Sequence, residues 1–233
     1  MAALSLTDLH AYYGKAHVLQ GVSITVESGC VVGLFGRNGV GKTTLLQSAM
    51  GLGPRVIGGI FLDGEDFSGI PADHRARSGL GYMPQGVRVF RDLTVEENYR
   101  VAAYSVPKAR DLDEIVGMVP ELKDLLSRPA GRLSGGQQQL VSLMRSLATN
   151  CRFLMMDEPT EGLMPAMVER IAEVTKRLAS AGYGVLLVEQ SLLLGEAVCD
   201  RIHLMEKGRI VHSGRFDELS SSGAIAETLG LIH

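Results

Sequence analysis

A short apolar run that leads directly into a glycine-rich loop constrains the fold of this chain more than any other feature. Val31–Phe35 has the pattern expected of a strand that is buried on both faces of a parallel sheet. The residues that follow it, Gly36–Thr43, satisfy the phosphate-binding pattern G-x-x-x-x-G-K-[ST]. A helix is predicted from about Gly41 to Met50, which completes the strand–loop–helix context of this motif. The segment therefore predicts an α/β core that binds a nucleotide.

The chemistry of the loop suits phosphate. Its backbone N–H groups and the helix N-terminus that follows favour an anion. Lys42 is expected to neutralise charge on the β- and γ-phosphates, and the Thr43 hydroxyl to coordinate Mg²⁺. The alternative is a glycine-rich turn that binds nothing, and the correct flanking elements weigh against it. The predicted nucleotide contacts of this segment are Gly36, Arg37, Asn38, Gly39, Val40, Gly41, Lys42, Thr43 and Thr44.

Two further apolar runs end in polar pairs. Phe153–Met156 precedes Asp157 and Glu158, and Val185–Val188 precedes the pair Glu189-Gln190. Ligands of open parallel sheets lie beyond the carboxyl ends of the strands, so both pairs are expected to face the nucleotide. Asp157 taken alone has a second interpretation as a surface residue. Two acids at the tip of a buried strand, in a chain with a phosphate loop, favour a metal-binding role.

Alternating apolar and polar residues predict half-buried antiparallel strands at Leu4 to Leu9 and Val18 to Val26. Leu80 to Met83 is predicted to be another strand. Ile60 to Leu62 is predicted to be a strand that enters a tight turn at Asp63-Gly64. An antiparallel layer is therefore expected beside the parallel core.

Helices are predicted in the middle of the chain. Thr94 and Glu97 form a capping-box pattern, so a helix is expected from Val95 to about Tyr104. A second helix is expected from Leu112 to Leu126, with a break or restart at Pro120.

A third helix is predicted after Ser134, because apolar residues recur there at helical spacing. These residues are Leu140, Leu143, Met144 and Leu147. Residues 86–150 are therefore expected to form a helical subdomain inserted between residues 1–85 and 151–233, which form the nucleotide-binding core with its β subdomain.

Composition excludes several classes of protein. The formal net charge of −3 gives no reason to expect a nucleic-acid partner. No apolar run reaches the roughly 20 residues needed to cross a bilayer, and no signal-peptide pattern begins the chain. Cys30, Cys151 and Cys199 have no metal-binding spacing and are expected to be buried, reduced thiols.

The stretch Leu133-Ser134-Gly135-Gly136-Gln137 lies between the phosphate loop and the Asp157-Glu158 pair. In this order the motifs resemble the ATP-binding cassette (ABC) ATPases, whose signature sequence the stretch matches letter for letter. The resemblance covers nearly the whole chain. It implies a RecA-like P-loop NTPase core with an antiparallel β subdomain and an inserted α-helical subdomain, and it implies ATP as the nucleotide.

The resemblance also assigns roles to single residues. It implies that Asp157 holds Mg²⁺ through water, that Glu158 polarises the attacking water, and that Gln85 senses Mg²⁺ and links the core to the helical subdomain. Tyr13 matches the aromatic residue that stacks on adenine, with Tyr12 as the competing candidate. The signature residues Ser134, Gly135, Gly136 and Gln137 are implied to complete the phosphate site of a second chain, so the family works as a dimer.

The chain departs from the family pattern at two places. Gln190 stands where a histidine usually contacts the γ-phosphate, and an amide donates hydrogen bonds without carrying charge. The loop Pro159 to Leu163 lacks an aspartate that is common there, which puts its contacts across the dimer in doubt. A regulatory subunit with little turnover is one interpretation. We favour an active ATPase with Glu158, Gln190, Lys42 and Gln85 as catalytic residues, because Glu158 is intact.

The departures also resemble one subfamily. Val188-Glu189-Gln190, Tyr12-Tyr13-Gly14 and Pro84-Gln85-Gly86 are similar to ATPases of branched-chain amino-acid importers. The loop Gly36–Val40 and Thr160-Glu161-Gly162 are similar to the branch that serves urea and short amides. The implied partners are a second ABC ATPase subunit in a homo- or heterodimer, membrane-spanning permease subunits and, indirectly, a substrate-binding protein. The implied location is peripheral, on the cytoplasmic face of the inner or plasma membrane.

A soluble ABC ATPase of DNA repair or translation is the rival interpretation. The long coiled coils of the first and the paired cassettes of the second do not occur in this sequence.

Overall fold

Residues 2–104 and 106–231 are described by a computed structural model, in which the strands form two sheets. The strands are β1 (Ala3–Tyr13), β2 (Ala16–Glu27), β3 (Val31–Phe35), β4 (Arg55–Leu62), β5 (Glu65–Asp66), β6 (Leu80–Met83), β7 (Phe153–Asp157), β8 (Gly184–Glu189), β9 (Arg201–Glu206) and β10 (Arg209–Gly214). The α-helices are α1 (Lys42–Met50), α2 (Ala72–Arg77), α3 (Val95–Ala103), α4 (Leu112–Met118), α5 (Gly135–Leu147), α6 (Pro165–Ser180), α7 (Leu192–Val198), α8 (Phe216–Ser221) and α9 (Ala224–Leu229).

One sheet is antiparallel, in the order β2-β1-β4-β5. The predicted strands near the start of the chain are confirmed as β1 and β2. The turn after β4 is also confirmed: Asp63 and Gly64 both have positive φ, 55° and 84°, as type I′ hairpin turns require. The strand β4 begins at Arg55, earlier than the predicted Ile60. Gly58 and Gly59 weaken the alternating pattern that would have shown this.

The other sheet has the order β10-β9-β3-β8-β7-β6, and only its edge pair β9–β10 is antiparallel among the described strands. Phe35 lies opposite Glu189, and Asp157 lies opposite Val188. Met83, at the end of β6, lies opposite Met156. The carboxyl ends of β3, β6, β7 and β8 therefore meet at one edge of the sheet. This is the α/β architecture that the sequence predicts.

Each central strand is buried on both faces. In β7, Phe153 and Met155 pack in the core that contains α1 and the antiparallel sheet. Leu154 and Met156 pack on the opposite side, in the core shared by α5 and α6. The same period of two divides β8 between these cores.

Helices α3, α4 and α5 lie in sequence between β6 and β7. The capping box of Thr94 and Glu97 is confirmed at the start of α3. The predicted break at Pro120 is confirmed as well, since α4 ends at Met118 and a 3₁₀ segment runs over Pro120–Leu125. The predicted helix after Ser134 is α5, and a second 3₁₀ segment, Ala130–Arg132, precedes it.

The expectation of three buried thiols is correct for Cys151 alone. Cys30 and Cys199 are partly exposed, and each cysteine is a free thiol. Burial raises the pKa of all three thiols, that of Cys151 to about 12. Within the described residues, no helix is long and apolar enough to span a membrane.

Candidate functional site

The loop after β3 holds its backbone close to the end of β9. A Cβ atom added to Gly36 would lie 2.5 Å from the carbonyl oxygen of Met205, so a larger residue does not fit there. Gly41, just before α1, has a φ of 115°, a conformation that favours glycine. Residues 37–39 are exposed. The loop therefore presents an accessible backbone at the positive end of a helix.

Lys42 is folded back into this loop. Its Nζ donates to the carbonyl oxygens of Gly36, at 2.8 Å, and Arg37, at 3.2 Å. It also lies 3.3 Å from Oε1 of Glu158, and both side chains are almost completely buried. The Glu158 carboxylate is here the counter-ion of a buried ammonium group, a place that a nucleotide phosphate can take. The predicted phosphate-binding lysine and the predicted catalytic glutamate are thus in direct contact.

Asp157 is fully buried at the end of β7. The Thr43 hydroxyl donates to Oδ1 and the Tyr82 hydroxyl to Oδ2, each at 3.2 Å. Burial raises the pKa of Asp157, and the two hydrogen bonds oppose that effect. Burial and the nearby carboxylate of Asp157 raise the pKa of Tyr82. Thr43 and Asp157, both predicted metal ligands, thus stand side by side.

Glu158 contacts more of the predicted site residues than its neighbours do. Its φ of 48° is unusual for a residue with a side chain, a feature that clusters at active sites. Its Oε2 accepts from Nε2 of Gln190 at 2.7 Å and from Nε2 of Gln85 at 3.3 Å. Gln85 also donates to Oε2 of Glu161 at 3.0 Å. The structure therefore brings together Glu158, Gln190, Gln85 and Lys42, and their catalytic roles remain predictions.

Glu189 does not face the nucleotide loop, so that expectation is wrong. The residue is 2% exposed, and its carboxylate accepts hydrogen bonds from Thr160, Gln190 and Ser191. The reason is the period of two in a strand: Glu189 shares a face with Val185 and Leu187, which pack toward α6. Asp157 has the other parity and points toward α1. Burial raises the pKa of Glu189, and its hydrogen bonds partly offset this.

The two tyrosines at the end of β1 differ in what they contact. Tyr12 stacks on the ring of His17, with centroids 4.4 Å apart, and Arg55 lies over the Tyr12 ring. Tyr13 is 44% exposed, and its hydroxyl donates to Oε1 of Gln47, on α1, at 2.7 Å. Tyr13 is therefore accessible beside the helix that follows the phosphate loop. Its contact with adenine remains a prediction.

The signature stretch lies apart from these residues. Ser134 and Gly135 are exposed, and Gly136 is buried under Met167. Ser134 caps α5: its Oγ accepts from the N–H of Gln137, and its own N–H donates to Oε1 of Gln137. None of the side-chain hydrogen bonds recorded for residues 2–104 and 106–231 joins this stretch to Gly36–Thr44. The signature and the phosphate loop of one chain are thus not joined by side-chain hydrogen bonds within the described residues.

The oxygen donors present fit Mg²⁺. The Thr43 hydroxyl and the Asp157 carboxylate are hard oxygen ligands, 3.2 Å apart. Among the described residues no group of three or more His, Cys, Asp and Glu could hold a metal ion. Mg²⁺ is typically bound through one or two carboxylates together with the phosphates of a substrate. The set is therefore suited to a magnesium–nucleotide complex.

Sequence reasoning missed three residues of this region, Tyr82, Thr160 and Glu161, each of which binds a predicted catalytic or metal-binding residue or its neighbour. Tyr82 had a usable signal, since it is a hydroxyl-bearing residue beside the carboxyl end of a strand that is otherwise apolar. Thr160 and Glu161 had none, because their partners lie on other loops.

A profile of the ABC transporter family matches residues 19–161. The chain is 36% identical over 211 residues to the high-affinity branched-chain amino acid transport ATP-binding protein BraG of Pseudomonas aeruginosa, covering 89% of this chain and 91% of that protein. It is 35% identical over 228 residues to the lipopolysaccharide export system ATP-binding protein LptB of Escherichia coli K12, covering 94% and 93%. The crystal structure of the ADP conformation of an ATP-binding cassette of an ABC transporter matches with a TM-score of 0.87 at 26% identity, over 100% of both chains.

Proposed function

The chain belongs to the ABC transporter family as an ATP-binding, ATPase subunit, and we propose that the transporter it energises imports branched-chain amino acids. The observation that carries an active role is the environment of Glu158, which contacts Lys42, Gln85 and Gln190. An inert nucleotide-binding subunit would not need a carboxylate held by three predicted catalytic side chains.

ATP hydrolysis depends on positioning and on stabilising charge more than on covalent chemistry. The γ-phosphate displaces the Glu158 carboxylate from Lys42, which leaves the carboxylate free to accept a proton from the attacking water. Gln190 and Gln85 hold that carboxylate by their amide N–H groups. Mg²⁺, bound by Thr43 and through water by Asp157, would neutralise charge on the phosphates.

Gln190 acts here on Glu158. Its amide donates to the catalytic carboxylate at 2.7 Å, a role that does not require the positive charge of a histidine. This contact supports hydrolysis despite the departure from the family pattern. A regulatory subunit with little turnover is the second candidate, and Gln190 is the residue that motivates it.

A second ATPase subunit completes each site. Ser134 and Gly135 are exposed and carry the N-terminus of α5, which suits an anion presented from outside the chain. We infer that ATP draws two chains together with the signature of one over the phosphates of the other. Hydrolysis and product release then let the pair open.

We infer that the permease contact lies between the core and the helical region. A groove of about 370 Å³ there is lined by Leu80, Tyr82, Ala102, Arg145 and neighbouring residues. Exposed Phe90 contacts one of these lining residues, with the Arg145 guanidinium 4.6 Å from the centre of its ring. A short segment of a membrane subunit bound in this groove would be displaced when the core and the helical region move relative to each other. In this way the ATPase cycle reaches the membrane subunits.

The substrate assignment rests on relatives and on the subfamily motifs. BraG serves branched-chain amino-acid transport, and LptB serves lipopolysaccharide export. The Val188-Glu189-Gln190 and Tyr12-Tyr13-Gly14 motifs favour the first of these over the second. The urea and short-amide branch remains a prediction from two loops.

The test is MgATP hydrolysis by the wild-type chain and by Glu158→Gln, each alone and assembled with its permease subunits. Wild type should turn over, whereas Glu158→Gln should be slower by about 100-fold or more, the size typical of a lost general base. The variant should still bind ATP and elute as a dimer in size-exclusion chromatography. Glu169→Gln, at an exposed glutamate on α6, is the matched control and should retain most activity.

Absence of turnover by the assembled wild-type protein would overturn the energising role and favour the regulatory candidate. Uptake of radiolabelled leucine against urea by proteoliposomes of the assembled transporter decides the substrate class. Uptake of neither would remove the importer assignment.

A further inference from the structure

The most densely bonded carboxylate of this region is that of Glu189, and it lies beside the site without entering it. Its Oε1 accepts from the N–H of Thr160 at 3.0 Å and from the Thr160 hydroxyl at 2.6 Å. Its Oε2 accepts from the N–H of Gln190 at 3.0 Å and of Ser191 at 3.3 Å. The four donors are neutral, and Glu189 is 2% exposed. An anion this deeply buried requires such a set of donors.

These bonds join the two loops that flank Glu158. Thr160 is on the loop after β7, two residues beyond Glu158, and Gln190 and Ser191 follow β8. The same loops meet a second time, where Gln190 donates to Glu158 at 2.7 Å. The N–H of Glu158 also donates to the carbonyl oxygen of Val188 at 2.9 Å. Glu189 thus fixes the backbone of Gln190 at one end while the Gln190 side chain holds the catalytic carboxylate at the other.

We propose that Glu189 is a positioning residue that locks the loops after β7 and β8 together and so holds Gln190 on Glu158. The inference rests on the proposed ATPase function, because Glu158 and Gln190 have their roles there. Glu189 does not touch the nucleotide. It acts through Gln190, and its loss slows hydrolysis without weakening ATP binding.

The chemistry makes a glutamine at this position a sharp probe. A glutamine has the same shape, but one of its two end groups is an NH₂ that cannot accept from a backbone N–H. Whichever way the amide is turned, its NH₂ faces either the N–H of Thr160 or those of Gln190 and Ser191. At least one loop is therefore released, and the Thr160 hydroxyl is the only one of the four donors that can reverse its role.

The experiment compares wild type, Glu189→Gln, Gln190→Ala and the double variant in MgATP turnover and in binding of a fluorescent ATP analogue. Each single variant should slow turnover about tenfold, as expected when a hydrogen bond to a buried charged group is lost, with ATP affinity within about twofold of wild type. In the Gln190→Ala background, Glu189→Gln should have no further effect on turnover. A multiplied loss, about 100-fold in the double variant, would overturn the proposal, because independent sites add in free energy.

Thr160 provides a milder pair of variants that keeps the carboxylate intact. Thr160→Val removes the hydroxyl at almost constant volume and should lower turnover about threefold, whereas Thr160→Ser keeps the hydroxyl and should restore most of it. Equal rates for Val and Ser would contradict the role of this bond.

Hydrogen–deuterium exchange tests the lock without any activity. The amides of Thr160, Gln190 and Ser191 should exchange slowly in wild type and faster in Glu189→Gln, with the strand β7 unchanged. Unaltered exchange at these three amides would overturn the inference even if hydrolysis is confirmed. Faster exchange in a chain that never hydrolyses ATP would support the lock and overturn the proposed function, so the two failures are distinguishable.

Discussion

The region around Glu158 and the signature stretch, both of which the nucleotide is proposed to require, differ in how their side chains are bonded. Around Glu158 the side chains bond to one another, and Lys42, Asp157 and Glu189 are buried with partners. The signature stretch is exposed at Ser134, and its side-chain hydrogen bonds form a capping box within the stretch itself. The side chains around Glu158 already bond to one another, so ATP must displace some of these bonds when it binds. The signature stretch is a surface that can bind a phosphate only when another chain presents one to it.

This difference has an energetic meaning. Buried charges are costly unless each is paired, so the region around Glu158 tolerates few substitutions without loss of stability. Exposed residues at a helix start have little to lose in the isolated chain, and changes at Ser134 or Gly135 should act on turnover alone. Substitutions around Glu158 should therefore change stability and turnover together, whereas substitutions in the signature stretch should change one without the other.

Lys42→Met should give the largest effect, because it removes the cation of the buried pair and the predicted phosphate ligand at once. Turnover should fall about 100- to 1,000-fold, as when a preorganised donor to a developing charge is lost. The free energy of unfolding should fall by about 3 kcal/mol, because Glu158 is left buried and unpaired. ATPase assays and urea unfolding measure the two losses.

Lys15→Met is the matched control at an exposed lysine and should alter neither quantity. If Lys42→Met lost turnover and kept full stability, the region around Glu158 would resemble the signature and the contrast between them would disappear.

Substitutions of Gly135 and Gly136 test the signature stretch, because the two glycines have different surroundings. A Cβ on Gly135 meets nothing within 4 Å, whereas one on Gly136 would lie 2.5 Å from Cγ of Met167. Gly135→Asp should leave the melting temperature near wild type, since an acid is favourable in the first turn of a helix. It should lower turnover about 100-fold, because like charges near a protein surface repel by roughly 3 kcal/mol at about 6 Å.

Gly135→Asn is the neutral control and should be less impaired than Gly135→Asp. Gly136→Ala should instead lower stability, by about 1–3 kcal/mol from overpacking. Full activity of Gly135→Asp would mean that no phosphate approaches the signature, and the dimeric site would be wrong.

The sequence predicted β3, β6, β7 and β8 and the starts of α1, α3, α4 and α5, because their signals are local. The phosphate motif has its own flanks, and the capping box at Thr94 spans four residues. The strand β9, which pairs with β3, was not predicted. The helix α6 was not predicted, although Val168, Ile171 and Leu178 follow its buried face. Its start at Pro165 follows the loop Pro159 to Leu163, which departs from the family pattern and carries no helix-start signal of its own.

The side-chain orientations at the site were harder to predict than its location. Asp157 and Glu189 both end buried strands, yet they point to opposite faces because their strands have opposite parity relative to the two cores. Counting by two along β8 from Val185 would have predicted the orientation of Glu189. The donors to Glu189 could not be predicted in this way, because Thr160 reaches it from a loop 29 residues away.

Tyr82→Phe should give the smallest effect and marks the outer limit of the bonded region. It removes only the hydroxyl that donates to Asp157, so stability should fall by about 1–2 kcal/mol. Turnover at saturating Mg²⁺ should fall less than about fivefold, while the Mg²⁺ concentration for half-maximal rate should rise, because Asp157 loses one of its two protein donors. Tyr99→Phe removes a hydroxyl that donates to the carbonyl oxygen of Arg110 in the helical region, and should leave the Mg²⁺ dependence unchanged. A Mg²⁺ titration of both variants thus separates a hydroxyl that orients Asp157 from one that only fastens α3. If both titrations match wild type, the Tyr82 hydroxyl does not orient Asp157 for Mg²⁺. The bonded region around Glu158 then ends at Thr43 and Asp157, and Tyr82 only packs in the sheet.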